Sequence, residues 1–191
     1  MRYIVLILLL FAFNACEGLP KEKKSQQDKF TKVDIPENLI GKDWEGNDVL
    51  VGNISLAQMR FFTKAWFDAD YNRYVINQDL LKKIKPLLKK KEVILIMGTW
   101  CEDSQREVPG MIKVLDAAGY NTSAMKIIAV DEDKVSPEKT EKTYDLLNVP
   151  TLLIFENGKE INRIVEFPIQ TLEQDIYAIL SGEDYKNAYA E

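Results

Sequence analysis

The apolar positions of residues 92–165 predict the strands of a buried sheet. Residues 92–98 (EVILIMG) form a short, continuous apolar run, which is typical of a central strand buried on both faces. A second run of this kind opens residues 126–133 (KIIAVDED). Two further segments, TLLIF and EINRIV, flank Asn157 and Gly158, and an Asn-Gly pair between two such segments favours a two-residue hairpin.

Apolar spacing also predicts two helices beside these strands. Leucine and isoleucine recur at helical spacing over residues 80–88, although Pro86 should kink or shorten that helix. Apolar residues recur in the same way over residues 108–115. This second helix is expected to end near Gly119, because glycine readily adopts the left-handed conformation found at helix C-termini.

Capping residues predict two more helices. Ser136 and Pro137 fit the N-cap and N1 positions of a helix that should run to about Leu147. Thr171 and Gln174 fit a capping box at the start of the last helix. The resulting order, α-β-α-β-α-β-β-α, favours an α/β fold with a mostly parallel sheet covered on both faces and the hairpin as antiparallel edge strands.

The first fifteen residues have the pattern of a signal peptide. Arg2 supplies a positive charge ahead of eleven apolar residues (3–13), a run shorter than the roughly 20 residues of a membrane span. Ala15 followed by Cys16 resembles a bacterial lipobox, although Phe13 stands where leucine is typical. The resemblance implies cleavage before Cys16, lipidation of its sulfur and a membrane-anchored lipoprotein of the cell envelope that faces the periplasm. An ordinary cleaved signal with a coincidental cysteine is the alternative, and an uncleaved anchor is another.

The segment that follows divides into a polar part and an aromatic-rich part. Residues 16–29 lack any apolar period and are interpreted as a flexible tether. In residues 30–76, Ser55 can cap a helix, and six aromatic residues cluster within residues 61–74. Such a cluster is typical of a core, and a partner-binding surface is the alternative. The predicted organisation is a signal peptide (1–15), a tether (16–29), a helical, aromatic-rich N-terminal extension (30–76), a main domain (77–182) and a C-terminal tail (183–191).

Composition and charge narrow the classes of function. The chain of 191 residues has a formal net charge of −5 and no long basic block, so no nucleic-acid partner is expected. It contains no histidine, which argues against histidine-dependent hydrolases and most zinc sites. No glycine-rich motif for a phosphate or a dinucleotide occurs, so neither a cofactor nor a metal is predicted. If Cys16 is lipidated, Cys101 has no partner for an intramolecular disulfide.

Cys101 is the strongest candidate for chemistry. It stands between a predicted buried strand and a predicted helix, within the sequence MGTWCEDSQREVPG of residues 97–110. Unpaired N–H groups and the dipole at a helix N-terminus favour an anion, so this position can activate a thiolate without histidine. Glu102 and Asp103 act in the opposite direction, because neighbouring carboxylates disfavour a thiolate. We therefore expect moderate reactivity.

Residues 77–182 resemble the thioredoxin-fold superfamily, in particular bacterial thioredoxin-like proteins with a Trp-Cys-x-Asp-Ser motif. Trp100 and Cys101 match the Trp-Cys pair before the active-site helix of that family, and Pro109 matches the proline within that helix. The resemblance implies a thioredoxin-like three-layer α/β/α sandwich with a mixed sheet, preceded here by the N-terminal extension. It also implies that Cys101 is the nucleophile.

A second part of the resemblance lies at Val149, Pro150 and Thr151. These residues resemble the cis-proline loop of the family, which lies against the active-site sulfur. The resemblance implies a cis bond before Pro150 and a client groove shaped by this loop together with Trp100. It also implies that backbone groups of Val149 pair with extended substrate, as an added strand would.

The sequence departs from that family at three places. Ser104 replaces the second, resolving cysteine, Glu102 and Asp103 replace the usual Gly-Pro pair, and Leu95 replaces a buried aspartate. Without a resolving thiol, a mixed disulfide formed by Cys101 must be released by another thiol. The pattern predicts monothiol thiol–disulfide exchange with protein or small-thiol disulfides, in which the Ser104 hydroxyl donates to the Cys101 thiolate. Ser104 as a plain helix-start residue is the alternative.

Two other functions compete with thiol exchange. A peroxidatic cysteine needs a single exposed thiolate. However, Gly98 and Ile94 stand where peroxiredoxins place a threonine and a proline before their cysteine. A redox-inactive binding or scaffold module, in which Cys101 is a small buried hydrophobic residue, fits the absence of a resolving cysteine. In that case the aromatic cluster of residues 61–74 is the candidate partner surface.

Overall fold

The computed structural model describes residues 33–190, so the predictions for the signal peptide, Cys16 and the tether lie outside the described residues. The strands of this range are β1 Ile40–Lys42, β2 Asp48–Leu50, β3 Gly52–Ile54, β4 Lys91–Met97, β5 Lys126–Ala129, β6 Thr151–Glu156 and β7 Lys159–Val165. The α-helices are α1 Leu56–Phe62, α2 Lys64–Arg73, α3 Gln78–Leu87, α4 Glu102–Ala118 and α5 Leu172–Ser181. Short 3-10 helices form at Glu37–Leu39, Thr122–Ala124 and Thr140–Tyr144. None of the helices in this range is long and apolar enough to cross a bilayer.

Strands β3 to β7 form one mixed sheet in the order β3-β5-β4-β6-β7, and β1 pairs with β2 in a separate hairpin. β4 and β5 are parallel, whereas β6 runs antiparallel to β4, and β7 runs antiparallel to β6. β3 pairs antiparallel with β5 at the opposite edge. The predicted class, an α/β sandwich around a mixed sheet, is confirmed. The expectation of a mostly parallel sheet is wrong, because β4 and β5 are its parallel pair and the other three pairs are antiparallel. The hairpin of β6 and β7 does form an antiparallel edge of the sheet, as predicted.

Alternate residues of the central strand β4 face two different cores, because successive side chains of a strand point to opposite faces. Val93, Leu95 and Met97 face the larger core, to which α3, α4 and α5 contribute their apolar sides. Ile94 and Ile96 face a smaller core, which also contains Cys101. The chain between β5 and β6 covers this second face of the sheet and contributes Tyr144 and Leu146 to it.

The helix predicted from Ser136 to about Leu147 is wrong. In its place the structure forms the 3-10 helix Thr140–Tyr144. Lys139 before this helix and Asp145 after it both adopt left-handed conformations, with φ of 54° and 46°. The first eight residues of the segment (SPEKTEKT) carry no apolar stripe. A helix there would have no face to bury against the sheet, and most of the stability of protein helices comes from such burial.

The other predicted helices and the hairpin are confirmed. Pro86 lies in the last turn of α3, and Gly119 ends α4 in a left-handed conformation with φ of 84°. Asn157 and Gly158 both have positive φ, 52° and 76°, as a two-residue hairpin of this kind requires. The Thr171 side chain caps α5 by accepting the N–H three residues further on.

The N-terminal extension belongs to the same folded body as the rest of the described chain. β3 is a strand of the main sheet, and Ser55 starts α1 with a reciprocal capping box to Gln58. Among the aromatic residues of the 61–74 cluster, Phe67 is fully buried in the larger core and Phe61 is exposed. The other four pack, partly buried, against that core. These contacts support the core interpretation of the cluster, and the boundary drawn at residue 77 divides residues that share one core.

Candidate active site

Cys101 is the N-cap residue of α4 and follows the short turn after β4. Its backbone is extended (φ −78°, ψ 124°), and its N–H donates to the Gly98 carbonyl at 3.2 Å. Its carbonyl accepts the N–H of Gln105 at 3.0 Å, which is an opening bond of the helix. The sulfur therefore lies at the carboxyl end of the central strand and at a helix N-terminus, the placement that the sequence predicts.

The thiol of Cys101 faces the loop before β6. The residue is 9% exposed, and its Sγ donates to the Val149 carbonyl oxygen at 3.3 Å. The peptide bond between Val149 and Pro150 is cis, as the family resemblance implies. Because a carbonyl oxygen only accepts hydrogen bonds, this contact uses the thiol proton. Cys101 must give up the contact when it reacts as a thiolate.

Trp100 lies across the turn that precedes Cys101. Its indole N–H donates to the Val130 carbonyl at 2.9 Å, at the end of β5. A Cβ on Gly98 would lie 2.6 Å from two atoms of the indole, so the ring occupies space that the glycine leaves empty. The half-buried indole thus forms a fixed wall of the site and joins the turn after β4 to the end of β5.

Ser104 lies in the first turn of α4 and is fully buried. Its hydroxyl oxygen accepts the N–H of Gly98 at 3.3 Å. The hydrogen bond that the structure gives to Ser104 therefore runs to the turn before the cysteine, whereas the predicted bond runs to the Cys101 sulfur. This contact holds the turn against the helix and gives the serine a structural task.

The loop that carries Val149 and Pro150 is held from both sides. The Thr151 hydroxyl donates to the Asn148 carbonyl at 2.6 Å, so this buried side chain braces the loop from within. Lys134 Nζ donates to the Asn148 side chain at 2.5 Å. The structure therefore brings Cys101, Trp100, Val149 and Pro150 to one place and turns the Thr151 hydroxyl towards the loop backbone.

A cation offsets part of the negative charge at the start of α4. Arg106 Nη2 lies 2.5 Å from Asp103 Oδ1, and Arg106 Nε lies 2.8 Å from Glu107 Oε1. These hydrogen bonds raise the pKa of Arg106 above its ordinary value, and the bond to Glu107 has the larger effect. Glu102 is exposed, where water and salt screen its charge. Glu102 and Asp103 therefore disfavour a thiolate at Cys101 less than two unpaired, buried carboxylates would.

Several residues that position the site were missed in the sequence. Thr99 Oγ1 accepts the Leu50 N–H at 3.1 Å, and the Thr99 carbonyl accepts from Gln105 Nε2 at 3.0 Å. The Glu166 N–H donates to the Pro150 carbonyl at 2.7 Å, which joins the end of β7 to the cis-proline loop. The contacts of Thr99 with Leu50 and of Glu166 with Pro150 join distant segments and leave no local signal. Over residues 33–190, no group of three histidine, cysteine, aspartate or glutamate side chains is arranged to hold a metal ion.

Comparisons with known proteins bear on the fold. No protein-family model matches the chain, and a search of curated proteins gives no significant match. The structure is similar to the 1.5 Å crystal structure of a protein of unknown function from Pseudomonas aeruginosa, with a TM-score of 0.53 and 11% sequence identity over 68% of this chain and 93% of that chain. It also matches the crystal structure of an HIV epitope scaffold, with a TM-score of 0.46 and 13% identity over 68% of this chain and 84% of that chain. The first of these likenesses shows a shared fold.

Proposed function

We propose that this protein carries out monothiol thiol–disulfide exchange through Cys101. The observation that carries the proposal is the contact of the Cys101 sulfur with the Val149 carbonyl at 3.3 Å, at the N-terminus of α4 and beside a cis-proline bond. At this point a client sulfur meets the nucleophile while the client backbone meets the Val149 backbone. The protein is thus assigned to the thioredoxin-like proteins with a Cys-x-x-Ser site.

The proposed reaction has two steps. Cys101 releases its proton to water, and the resulting thiolate attacks one sulfur of a client disulfide. An S–S bond forms between Cys101 and the client, while the other client sulfur leaves as a thiolate and takes up a proton. Since Ser104 offers no second thiol, the mixed disulfide persists until an external thiolate attacks the client sulfur. A new S–S bond then joins the client to that thiol, and Cys101 leaves as a thiolate and takes up a proton. The clients are protein or small-thiol disulfides.

Three features around Cys101 support this chemistry once its thiol has released the Val149 carbonyl. The free N–H groups at the start of α4 stabilise the thiolate, and Arg106 offsets the charge of Asp103. The rigid Trp100 wall and the cis-proline loop form the two sides of the client groove. Ser104 acts in this scheme by holding the turn before the cysteine.

We place this reaction in the cell envelope as part of the same proposal. Cys16 is lipidated, residues 16–29 tether the domain to the membrane, and the domain faces the periplasm, an oxidising compartment in which client disulfides form. The test is the mass of the N-terminal peptide released from membranes. We expect a lipidated Cys16 and a shift of a Cys16→Ser variant to the soluble fraction, and an unmodified N-terminal peptide contradicts this placement.

A peptide that contains a disulfide tests the exchange reaction. The chain beginning at Lys21 retains every described residue and lacks Cys16. After incubation with the peptide, we expect intact mass to show one peptide attached through Cys101, to be released by added glutathione. Cys101→Ser should carry no adduct. Absence of an adduct on the unaltered chain contradicts the proposal.

The burial of Cys101 favours a second candidate function, that of a redox-inactive binding module. The residue is 9% exposed, and its thiol proton is engaged by a backbone carbonyl, as in a structural cysteine. This candidate predicts that native Cys101 forms no mixed disulfide and that Cys101→Ala leaves the abundance and partner binding of the protein unchanged. Formation of the adduct described above excludes it.

A further inference from the structure

The C-terminal tail, defined here as residues 183–190, turns back from the end of α5 towards the candidate active site. Tyr185 anchors it, because the Tyr185 hydroxyl donates to Asp175 Oδ2 at 3.0 Å. The Tyr185 carbonyl accepts from the Asn162 side chain at 2.9 Å, on the edge strand β7. Asp175 is 1% exposed and also accepts the N–H of Ile169 at 2.6 Å. The tail is therefore fixed to both α5 and β7.

The protonation of Tyr185 supports this anchor. Burial and then the charge of Asp175 raise the pKa of Tyr185 above its ordinary value. The hydroxyl therefore stays protonated near neutral pH and keeps donating to the carboxylate. The anchor is thus in place under the conditions in which Cys101 acts.

Tyr189, near the end of the tail, is hydrogen-bonded to Glu166 and lies near two other segments of the chain. Its hydroxyl donates to the Glu166 carboxylate. The Asn148 side chain is near enough to the same phenol to lower its pKa. Asp103 is close enough for its charge to act on that phenol. The hydrogen bond to Glu166, more than any other contact, raises the pKa of Tyr189 above its ordinary value, so the phenol is a donor at neutral pH.

Each of these three residues belongs to a segment next to Cys101 or to its Val149 contact. Asp103 lies in the first turn of α4, two residues after the cysteine, and Asn148 directly precedes Val149. Glu166 is tied by its N–H to the Pro150 carbonyl. Tyr189 is therefore joined through Glu166 to the cis-proline loop, on the side of Cys101 where that loop meets the end of β7.

We propose that Tyr189 closes one side of the client groove and thereby limits which disulfides reach Cys101. A bulky client must displace this end of the tail before its backbone reaches Val149, whereas a small reagent need not. Tyr189 is 41% exposed, and its hydroxyl is held by the Glu166 side chain at the surface. The end of the tail can therefore be displaced while the core stays folded. That the excluded molecules are disulfide clients rests on the proposed exchange function. The position of Tyr189 over this side of the groove, called the cover below, does not depend on that function.

Two maleimides of different size test this cover on the chain beginning at Lys21. We expect Tyr189→Ala to raise the rate at which a polyethylene-glycol maleimide modifies Cys101 by about tenfold, the factor expected when one charge-assisted hydrogen bond holds the tail. The rate with N-ethylmaleimide should stay nearly constant, which also shows that the fold is intact. Phe61→Ala is the matched control, since Phe61 is an exposed aromatic residue (46%) on α1, which packs against α2 and the turn before β5. An unchanged ratio of the two rates in Tyr189→Ala overturns the proposal.

A reporter thiol separates this proposal from the exchange function. Asp103→Cys in a Cys101→Ser background places a thiol in the first turn of α4, near Tyr189, whether or not Cys101 itself is reactive. Adding Tyr189→Ala should raise its rate with the polymer maleimide in the same way. If position 103 responds while native Cys101 forms no mixed disulfide, the exchange function fails and the cover stands. If Cys101 forms the mixed disulfide and neither thiol responds to Tyr189→Ala, the cover alone fails.

Discussion

Replacing Gly98 with alanine should displace Trp100 and lower the free energy of unfolding by about 2–4 kcal/mol. A Cβ at this position would lie 2.6 Å from two indole atoms of Trp100 and 3.0 Å from a third. Gly98 has no left-handed backbone conformation, so alanine is penalised by this contact and not by its φ angle. The indole is the rigid part of its side chain, and it must move as a whole.

Two costs make up the expected magnitude. Forcing one methyl group into a packed site costs about 1–3 kcal/mol. Moving the ring also breaks the 2.9 Å hydrogen bond from its N–H to the Val130 carbonyl. A lost hydrogen bond of this kind costs about 1 kcal/mol.

Urea unfolding followed by far-ultraviolet circular dichroism measures the change on the chain beginning at Lys21. The matched control repeats Gly98→Ala in a Trp100→Ala background, where the methyl group has free space above it. There the substitution should cost well under about 1 kcal/mol, because contacting residues are not additive. An equal cost in both backgrounds refutes the packing of Trp100 on Gly98.

Substitutions at three further positions test hydrogen bonds of the fold in the same unfolding titrations. Ser104→Ala should cost about 1–3 kcal/mol, because the buried N–H of Gly98 loses its acceptor. Alkylation of native Cys101 should hardly change in this variant, and a large fall would assign Ser104 a role at the sulfur. Burial and the acceptor Asp116 raise the pKa of Tyr71 to about 12, so stability should fall from about pH 10 upwards, where the unfolded state loses its phenol proton first. Tyr71→Phe should make this slope less steep, since Tyr74 and Tyr185 with raised pKa values remain, and an unchanged slope contradicts the assignment. Thr171→Ala should cost about 1 kcal/mol and Thr171→Ser almost nothing, since only alanine removes the cap of α5; equal losses contradict the cap.

The surroundings of Cys101 could be predicted because several local signals agree there. The apolar run of β4, the glycine after it and the acidic residues that follow the cysteine all favour a strand, a turn and a helix start in that order. Pro109 lies inside α4, and the bond before Pro150 is cis, as the family resemblance implies. The resemblance also implies that the loop of Val149 lies against the sulfur, a contact between residues 48 positions apart that no local signal predicts.

The conformation of the chain between β5 and β6, which covers the face of the sheet with the smaller core, could not be predicted from local signals. Ser136 does accept the N–H of Thr140 at 3.0 Å, so the predicted start is partly realised. Lys139 then adopts a left-handed conformation, and the segment packs Tyr144 and Leu146 onto the sheet without a helix. A capping signal without an apolar stripe is therefore not sufficient evidence for a helix.

Strand β3 and the contacts of the C-terminal tail were not predicted, because they depend on residues that are distant in the sequence. β3 is a strand of only three residues, too short for its period to show, and it is recognised by its pairing with β5. The tail carries two isolated tyrosines, and only the folded chain brings Tyr185 to Asp175 and Tyr189 to Glu166. Spacing along the sequence cannot indicate either contact.

The central claim is that Cys101 is a nucleophile, and its rate of alkylation in the folded protein tests this most directly. Iodoacetamide is applied at neutral pH to the folded chain beginning at Lys21 and to the same chain unfolded in urea, and Cys101→Ser is the control for other sites. We expect Cys101 to be labelled faster in the folded chain than in the unfolded chain, because a helix N-terminus favours the reactive thiolate. Labelling that is no faster in the folded chain, or that occurs only after unfolding, would contradict the claim and make Cys101 a structural residue.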